Sequence, residues 1–184
     1  GTAKHHAEEW KKRQAKLGFN PATTFVLGIN EPKIWSDDGT EAQRLSRIKA
    51  TTLYTITFLD ECKRLGLRAG ALQLAVGWPN NTGKDTPPDW SIFPGVEEAI
   101  KRGNHCLVVH EYWADLGPDE SWGWWAGRFL KCPWNVPIAI GECGFEMAVK
   151  FGVAPWDKGW QGTKYGCSQD EYADMLVNYC NWIS

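Results

Sequence analysis

The chain has 184 residues and a formal net charge of −2. This length suits one domain with a buried core, and the small net charge gives no electrostatic reason to expect nucleic acid or an anionic membrane as a partner. No apolar run approaches the roughly 20 residues that a membrane-spanning helix needs. We expect residues 1–184 to form one domain. Because the first residue is Gly1 and not Met, and a helix-like charged stretch begins at His6, we also expect a piece of a longer protein, so the absence of a visible signal peptide says nothing about the parent.

Hydrophobic periodicity, capping patterns and Gly or Pro breaks divide the chain into alternating helices and strands. The predicted elements are a helix at 6–17, a strand at 24–30, a helix from Thr40 to about Leu65, a strand at 68–77, a short helix from Val96 to Arg102, a strand at 105–112, a helix near 121–131, a strand at 137–142 and a last helix that begins at Ser168. Thr40 with Gln43, and Ser168 with Glu171, have the spacing of capping boxes.

Strand–helix alternation with short, apolar strands is typical of an α/β protein with a parallel sheet. The strand–helix repeats run over 25–67, 68–104, 105–136 and 137–184. Eight such units form a (β/α)₈ barrel, so the sequence predicts a partial TIM-type barrel of about four units with a preceding helix.

Two of the apolar strands run into a glutamate, Glu31 after Phe25–Asn30 and Glu142 after Pro137–Gly141. Strand carboxyl ends form the face of parallel α/β proteins where ligands bind, so both carboxyl groups are predicted at one rim. Two carboxyl groups flanking a glycosidic bond are the requirement for its hydrolysis. The alternative for each glutamate alone is a salt bridge in a loop.

Twelve tryptophans are the most unusual feature of the composition. Indole rings are large apolar plates that suit the C–H faces of sugars, although many tryptophans simply pack helices on strands. Trp10 and Trp182 lie in amphipathic stretches and are predicted to pack. Others follow strand ends or lie in Gly-rich loops, and we expect four of them to bind substrate: Trp35, Trp78, Trp113 and Trp160.

The six cysteines include no C-x-x-C pair, and the four histidines show no metal-ligand spacing. We therefore expect no metal site and no cofactor. Buried free thiols are the default expectation for Cys62, Cys106, Cys143 and Cys180. Cys132 and Cys167 lie in predicted loops and are the best candidates for a disulfide in a secreted parent.

Three motifs occur at predicted strand ends: Asn-Glu-Pro at 30–32, His-x-Tyr at 110–112 and Gly-Glu-x-Gly at 141–144. In this order they resemble the clan A retaining glycoside hydrolases, whose cellulase-like and related families are (β/α)₈ barrels. The resemblance covers nearly the whole chain but only the fourth to seventh barrel units. It therefore implies that the other half of the barrel, or another chain, covers the open side.

The resemblance assigns a role to each matching residue. It implies that Glu31 is the general acid/base and Glu142 the nucleophile, that Asn30 binds the sugar 2-hydroxyl, and that Tyr112 donates a hydrogen bond that orients Glu142. His110 has the same strand parity as Tyr112, so both are expected to point inward, with a structural histidine of the barrel core as the alternative. Glu111 has the opposite parity and is expected to face the surrounding helices or a salt bridge.

The implied function is a retaining glycoside hydrolase that cleaves a poly- or oligosaccharide by double displacement, in an extracellular or secreted parent protein. Two other classes stay open. One is a carbohydrate-binding barrel fragment without turnover. The other is a parallel α/β domain that is not a glycosidase, although the sequence contains neither a Gly-x-Gly-x-x-Gly motif nor a P-loop that would indicate a nucleotide site.

Overall fold

The computed structural model of the protein describes residues 2–34, 39–79, 87–113, 126–145 and 168–184. Helices and strands alternate through these ranges, which confirms the predicted α/β class. The elements are α1 (Thr2–Leu17), β1 (Phe25–Leu27), α2 (Glu41–Arg64), β2 (Arg68–Leu74), α3 (Val96–Gly103), β3 (Cys106–Trp113), β4 (Ile138–Phe145) and α4 (Gln169–Ile183), with short 3₁₀ helices at Trp90–Ile92 and Arg128–Lys131.

The four strands form one sheet in the order β1-β2-β3-β4, which is also their order along the chain. The β1–β2 and β2–β3 pairs are parallel, with Gly70 of β2 opposite Cys106 of β3. Just before β4 begins, the Pro137 carbonyl accepts the Leu107 N–H of β3 at 2.9 Å. A parallel sheet in sequential order is what consecutive strand–helix units produce, and it agrees with part of a barrel. The (β/α)₈ identity itself stays a prediction.

Side-chain caps fix the beginnings of α2 and α4 where the sequence predicts them. The Thr40 hydroxyl accepts the Gln43 N–H, and the Gln43 side chain accepts the Thr40 N–H at 2.9 Å. Ser168 and Glu171 make the same reciprocal pair. Each box satisfies two backbone donors that the first helical turn leaves without partners. Among the helices of the described ranges, none combines the length and hydropathy needed to cross a bilayer.

The predicted strand at 24–30 is shorter in the structure and covers only Phe25–Leu27. Its ladder with β2 ends after three residue pairs. Beyond the ladder, Glu31 takes a left-handed backbone conformation with φ 41°, which a continuing strand does not allow. Glu31 is therefore four residues past the end of β1.

The predicted helix near 121–131 is wrong for the part that the structure describes. Between residues 126 and 131, the part of this segment that the structure describes, the helical structure is the 3₁₀ helix Arg128–Lys131. Gly127 has φ 77° and breaks any right-handed helix that would run through it, and Pro133 follows closely after the 3₁₀ turn.

The chain divides into two compact units. The first unit consists of Gly1–Ala75, Trp90–Val109 and Pro133–Gly141, and the second of Val76–Asp89, His110–Cys132 and Glu142–Ser184. Each unit is described separately below.

Helices α2 and α3 and strand β2 pack together to form the core of the first unit. The fully buried apolar side chains of these elements are Phe58, Leu59, Cys62, Ala69, Ala71, Leu74, Val96, Ala99 and Ile100. Gly70 has no room for a side chain, because a Cβ there would overlap Val108 and lie 2.7 Å from Leu27 Cδ2. This glycine lets the neighbouring strands bring large side chains together above β2.

Helix α1 contacts the strand at one end of the sheet order. The Trp10 indole N–H donates to the Leu27 carbonyl of β1 at 2.7 Å, and the Arg13 guanidinium lies 5.0 Å from the centre of the Trp10 ring. The expectation that Trp10 packs a helix on a strand is therefore met by a polar contact to the β1 backbone.

Candidate active site

The end of β3 sends alternate side chains in opposite directions within the second unit. His110 and Tyr112 both approach Glu142, whereas Glu111 between them is bonded to other partners. This alternation follows from the two-residue repeat of a strand and confirms the parity predicted for all three residues.

Glu142 is oriented by a tyrosine. The Tyr112 hydroxyl donates to Glu142 Oε2 at 2.8 Å, which is the contact that the resemblance implies. His110 Nδ1 lies 3.6 Å from the same oxygen, too far for a good hydrogen bond but close enough for an electrostatic contact if the ring is protonated. The Glu142 side chain is 43% exposed while His110 is buried. A solvent-accessible carboxylate thus lies beside a buried imidazole.

The sequence predicts Glu142 at the carboxyl end of its strand. In the structure it lies inside β4, which continues to Phe145. Gly144, which has the same parity as Glu142, leaves space for an aromatic neighbour within this strand. A Cβ on Gly144 would lie 2.9 Å from the Tyr172 hydroxyl and 3.8 Å from Tyr112 Cε1. The glycine of the Gly-Glu-x-Gly motif therefore makes room for the Tyr172 hydroxyl, whereas the distance to Tyr112 is an ordinary van der Waals contact.

Glu111 is buried, with 2% of its surface exposed. Its Oε2 accepts hydrogen bonds from the Gly127 N–H and, at 3.2 Å, from the Tyr179 hydroxyl of α4. Burial raises the pKa of this carboxyl to about 7, and the two hydrogen bonds oppose the rise only in part. Glu111 thus faces a helix, as predicted, and ties β3 to α4.

Glu31 belongs to the first unit, and its backbone is anchored by a residue of β2. It is exposed, as is Asn30 before it. The Glu31 N–H donates to the Gln73 carbonyl at 3.2 Å, and the Gln73 side-chain amide donates to the Ile29 carbonyl at 3.0 Å. Two hydrogen bonds from one residue of β2 therefore hold the segment that carries Glu31.

Gln73 can make both contacts because β2 contains a bulge. Ala71 pairs with Leu107 and Leu74 with Val109, so two residues of β2 lie opposite one residue of β3. Those two residues, Leu72 and Gln73, have φ 69° and 42°. Left-handed conformations are uncommon for residues other than glycine, and bulges of this kind re-aim groups at the rims of sheets.

Only one of the four tryptophans predicted to bind substrate has a described side chain. Trp78 belongs to the second unit and is partly exposed. Trp35 and Trp160 lie outside the described residues. Trp113 is the last residue of β3, but its side chain is also outside the description.

Two of the cysteines behave as predicted. Cys62 and Cys106 are buried free thiols, and burial raises their pKa values to about 12 and about 11. Cys143 and Cys180 are also free, but exposed rather than buried. The predicted pairing of Cys132 stays a prediction because Cys167 lies outside the described residues.

The site in the second unit offers a carboxylate with a bound tyrosine and a neighbouring imidazole. Such a carboxylate can act as a nucleophile or stabilise a developing positive charge. His110 and Glu142 are also residue types that bind metals.

Sequence reasoning missed one residue that holds a predicted site residue in place. Gln73 is 3% exposed and lies in the apolar run Ala71–Val76. A polar side chain in an otherwise apolar strand signals a buried hydrogen bond, and this signal could have been used.

The geometry described above is the basis for any functional conclusion. Neither a protein-family model, nor a curated protein, nor a solved structure matches this chain.

Proposed function

We propose that the chain is the catalytic part of a retaining glycoside hydrolase that cleaves O-glycosidic bonds in a poly- or oligosaccharide. The observation that carries this proposal is the 2.8 Å hydrogen bond from the Tyr112 hydroxyl to Glu142 Oε2, with His110 beside the same oxygen. A hydrogen bond to one carboxylate oxygen fixes the rotation of the group and leaves Oε1 as the attacking atom. The three residues come from two of the three motifs that resemble clan A enzymes.

In the first step of the proposed reaction, Glu142 Oε1 forms a bond to the anomeric carbon while the bond to the leaving oxygen breaks. Glu31 gives its proton to that oxygen. In the second step a water molecule gives a proton to the Glu31 carboxylate and attacks the same carbon, which releases Glu142. Two inversions give net retention, and the mechanism requires carboxyl groups about 5–5.5 Å apart.

Tyr112 has a distinct role at each stage. While Glu142 is ionised, the hydroxyl stabilises its charge and selects one rotamer. As the glycosyl–enzyme ester forms, the charge on Glu142 is lost and the hydrogen bond weakens. The same bond therefore strengthens again during deglycosylation, when the carboxylate returns as the leaving group.

Covalent trapping tests the proposal most directly. A 2-deoxy-2-fluoro glycoside with a good leaving group slows the second step more than the first, so a glycosyl–enzyme should accumulate. We expect mass spectrometry of the intact protein to show the added mass of one sugar, and peptide mapping to place it on Glu142. A label on another residue would refute the assignment of the nucleophile.

Two variants complete the test. Glu142→Gln should remove nearly all turnover while stability stays almost unchanged, and azide should restore a product of inverted configuration. Glu98→Gln is the matched control, because Glu98 is an exposed glutamate of α3. A chain that binds a polysaccharide but neither releases sugar nor becomes labelled would be a binding module, and absence of both binding and labelling would favour a non-glycosidase domain.

The remaining parts of the proposal concern the whole protein. We propose that the chain supplies the fourth to seventh units of a (β/α)₈ barrel, and that the parent protein is extracellular. The sequential order of the strands supports the barrel units. The partly exposed Trp78 supports a carbohydrate partner. Activity measured on a panel of polysaccharides with the full-length parent would identify the substrate.

A further inference from the structure

Three of the four non-glycine residues with positive φ in the described ranges lie in two facing segments of the first unit. They are Glu31 with φ 41°, Leu72 with φ 69° and Gln73 with φ 42°. Asn104, the fourth, ends α3, where asparagine often takes this conformation. Strained backbone persists only where surrounding contacts fix it, and it gathers at functional sites.

The contacts that fix this strain come from one residue, through its backbone carbonyl and its side-chain amide. Gln73 is buried, its backbone carbonyl accepts the Glu31 N–H at 3.2 Å, and its amide donates to the Ile29 carbonyl at 3.0 Å. The bulge supplies the geometry, because the extra residue in β2 turns the Gln73 carbonyl out of the ladder with β3 and toward the segment after β1. Ile29 and Glu31 are thus clamped on both sides of Asn30.

We propose that Gln73 is a positioning residue that holds Glu31 in its left-handed conformation and thereby aims the Glu31 carboxyl at the glycosidic oxygen. This inference rests on the acid/base role proposed for Glu31 and extends it to a residue outside the three motifs. The Gln73 side chain acts through the backbone of Ile29–Glu31 and does not touch the substrate.

The test uses Gln73→Met, which keeps the length and volume of the side chain but removes its N–H donor. Ile100→Val is the control, since Ile100 is a buried apolar residue of α3 in the same unit whose side chain makes no hydrogen bond. Thermal unfolding of both variants shows that the comparison is made between folded proteins.

The decisive readout is kcat/KM on two aryl glycosides, because this parameter reports the steps up to the glycosyl–enzyme. A 4-methylphenyl leaving group needs protonation by Glu31, whereas a 2,4-dinitrophenyl group leaves without it. For Gln73→Met we expect a loss of about 10- to 100-fold on the first substrate, the order of magnitude of a slightly misplaced catalytic group, and less than about threefold on the second. Ile100→Val should change both substrates alike. Equal losses in Gln73→Met would overturn the proposal.

A second readout does not depend on activity. The Glu31 amide donates to Gln73, so loss of the Ile29 contact should speed its hydrogen exchange by about 10-fold or more while Ile100→Val leaves it unchanged. Unchanged exchange in Gln73→Met would overturn the proposal. If the wild type cleaves no glycoside but the Glu31 amide exchanges faster in Gln73→Met, the proposed function fails while the anchoring of Glu31 by Gln73 stands.

Discussion

Glu111 provides the sharpest test of the electrostatics of the second unit. Burial favours the protonated form, so folding raises the pKa of this carboxyl from 4.5 to about 7. A raised acid pKa means that the stabilising contribution is complete below pH 4.5 and is lost as the pH rises through 7. Since one pKa unit corresponds to about 1.4 kcal/mol, the ionisation of Glu111 removes on the order of 3 kcal/mol of stability by pH 8.

Glu111→Gln keeps the shape of the side chain and stays neutral at every pH. Its oxygen can still accept the Gly127 N–H and the Tyr179 O–H, so the variant avoids the burial of a charge without losing those bonds. We expect Glu111→Gln to be more stable than the wild type by about 2–3 kcal/mol at pH 8. At pH 4.5 the two proteins should agree within about 1 kcal/mol, because the amide then has only one donor more than the protonated carboxyl.

Urea unfolding of both proteins at pH 4.5, 6 and 8 measures these differences, provided that the slope with denaturant is the same for the two. Glu98→Gln serves again as the exposed control and should show no gain at pH 8. The reasoning is refuted if Glu111→Gln is less stable than the wild type by the same amount at all three pH values, because the carboxylate would then be needed for its charge.

Four further predictions follow from single contacts. Tyr112→Phe should slow the proposed reaction by roughly 10- to 1000-fold in steady-state assays, and an unchanged rate would mean that the hydroxyl does not assist. The His105 ring accepts the Ala69 N–H and contacts the Leu59 carbonyl at 2.9 Å, and burial lowers its pKa, so it stabilises the fold above pH 6.5 and loses that contribution as the pH falls. The stability of His105→Gln relative to the wild type should therefore rise between pH 7 and pH 5, and a difference that does not change with pH would contradict this. Gly127→Ala should cost about 3 kcal/mol or more, because its Cβ would overlap the ring of a tryptophan in α4, whereas Gly18→Ala, at a similar φ in open space, should cost only about 1 kcal/mol. If chemical denaturation showed equal losses of unfolding free energy for the two variants, the positive φ alone, and not the overlap with the indole ring, would determine the cost. Trp78→Ala should weaken polysaccharide binding by roughly 1–3 kcal/mol in calorimetry, and unchanged affinity would remove this residue from the proposed site.

Patterns with a short, fixed period are the part of this structure that sequence can predict. The two-residue repeat of a strand is enough to separate Glu111 from His110 and Tyr112, and both capping boxes follow from side chains three residues apart. The succession of helices and strands, and hence the α/β class, follows from the same kind of local information.

The bulge and the strand ends could not be predicted, because they depend on partners distant in sequence. Leu72 and Gln73 have no intrinsic preference for positive φ, and only their contacts across the sheet and with the segment after β1 select it. Likewise, Glu142 lies inside β4 rather than at its end because the pairing of β4 continues beyond the apolar run that the sequence shows.

The indole of Trp10 on the Leu27 carbonyl has a consequence for biosynthesis. A strand at the border of a sheet offers backbone acceptors to any extended segment nearby, including a neighbouring nascent chain, and so favours aggregation. Here the Trp10 N–H occupies the Leu27 carbonyl, and Trp10 belongs to α1, which leaves the ribosome before β1 does. Within the described sheet, one outer acceptor of β1 is therefore occupied by a segment made earlier than the strand itself, and in the proposed barrel the remaining units would complete the pairing of this strand.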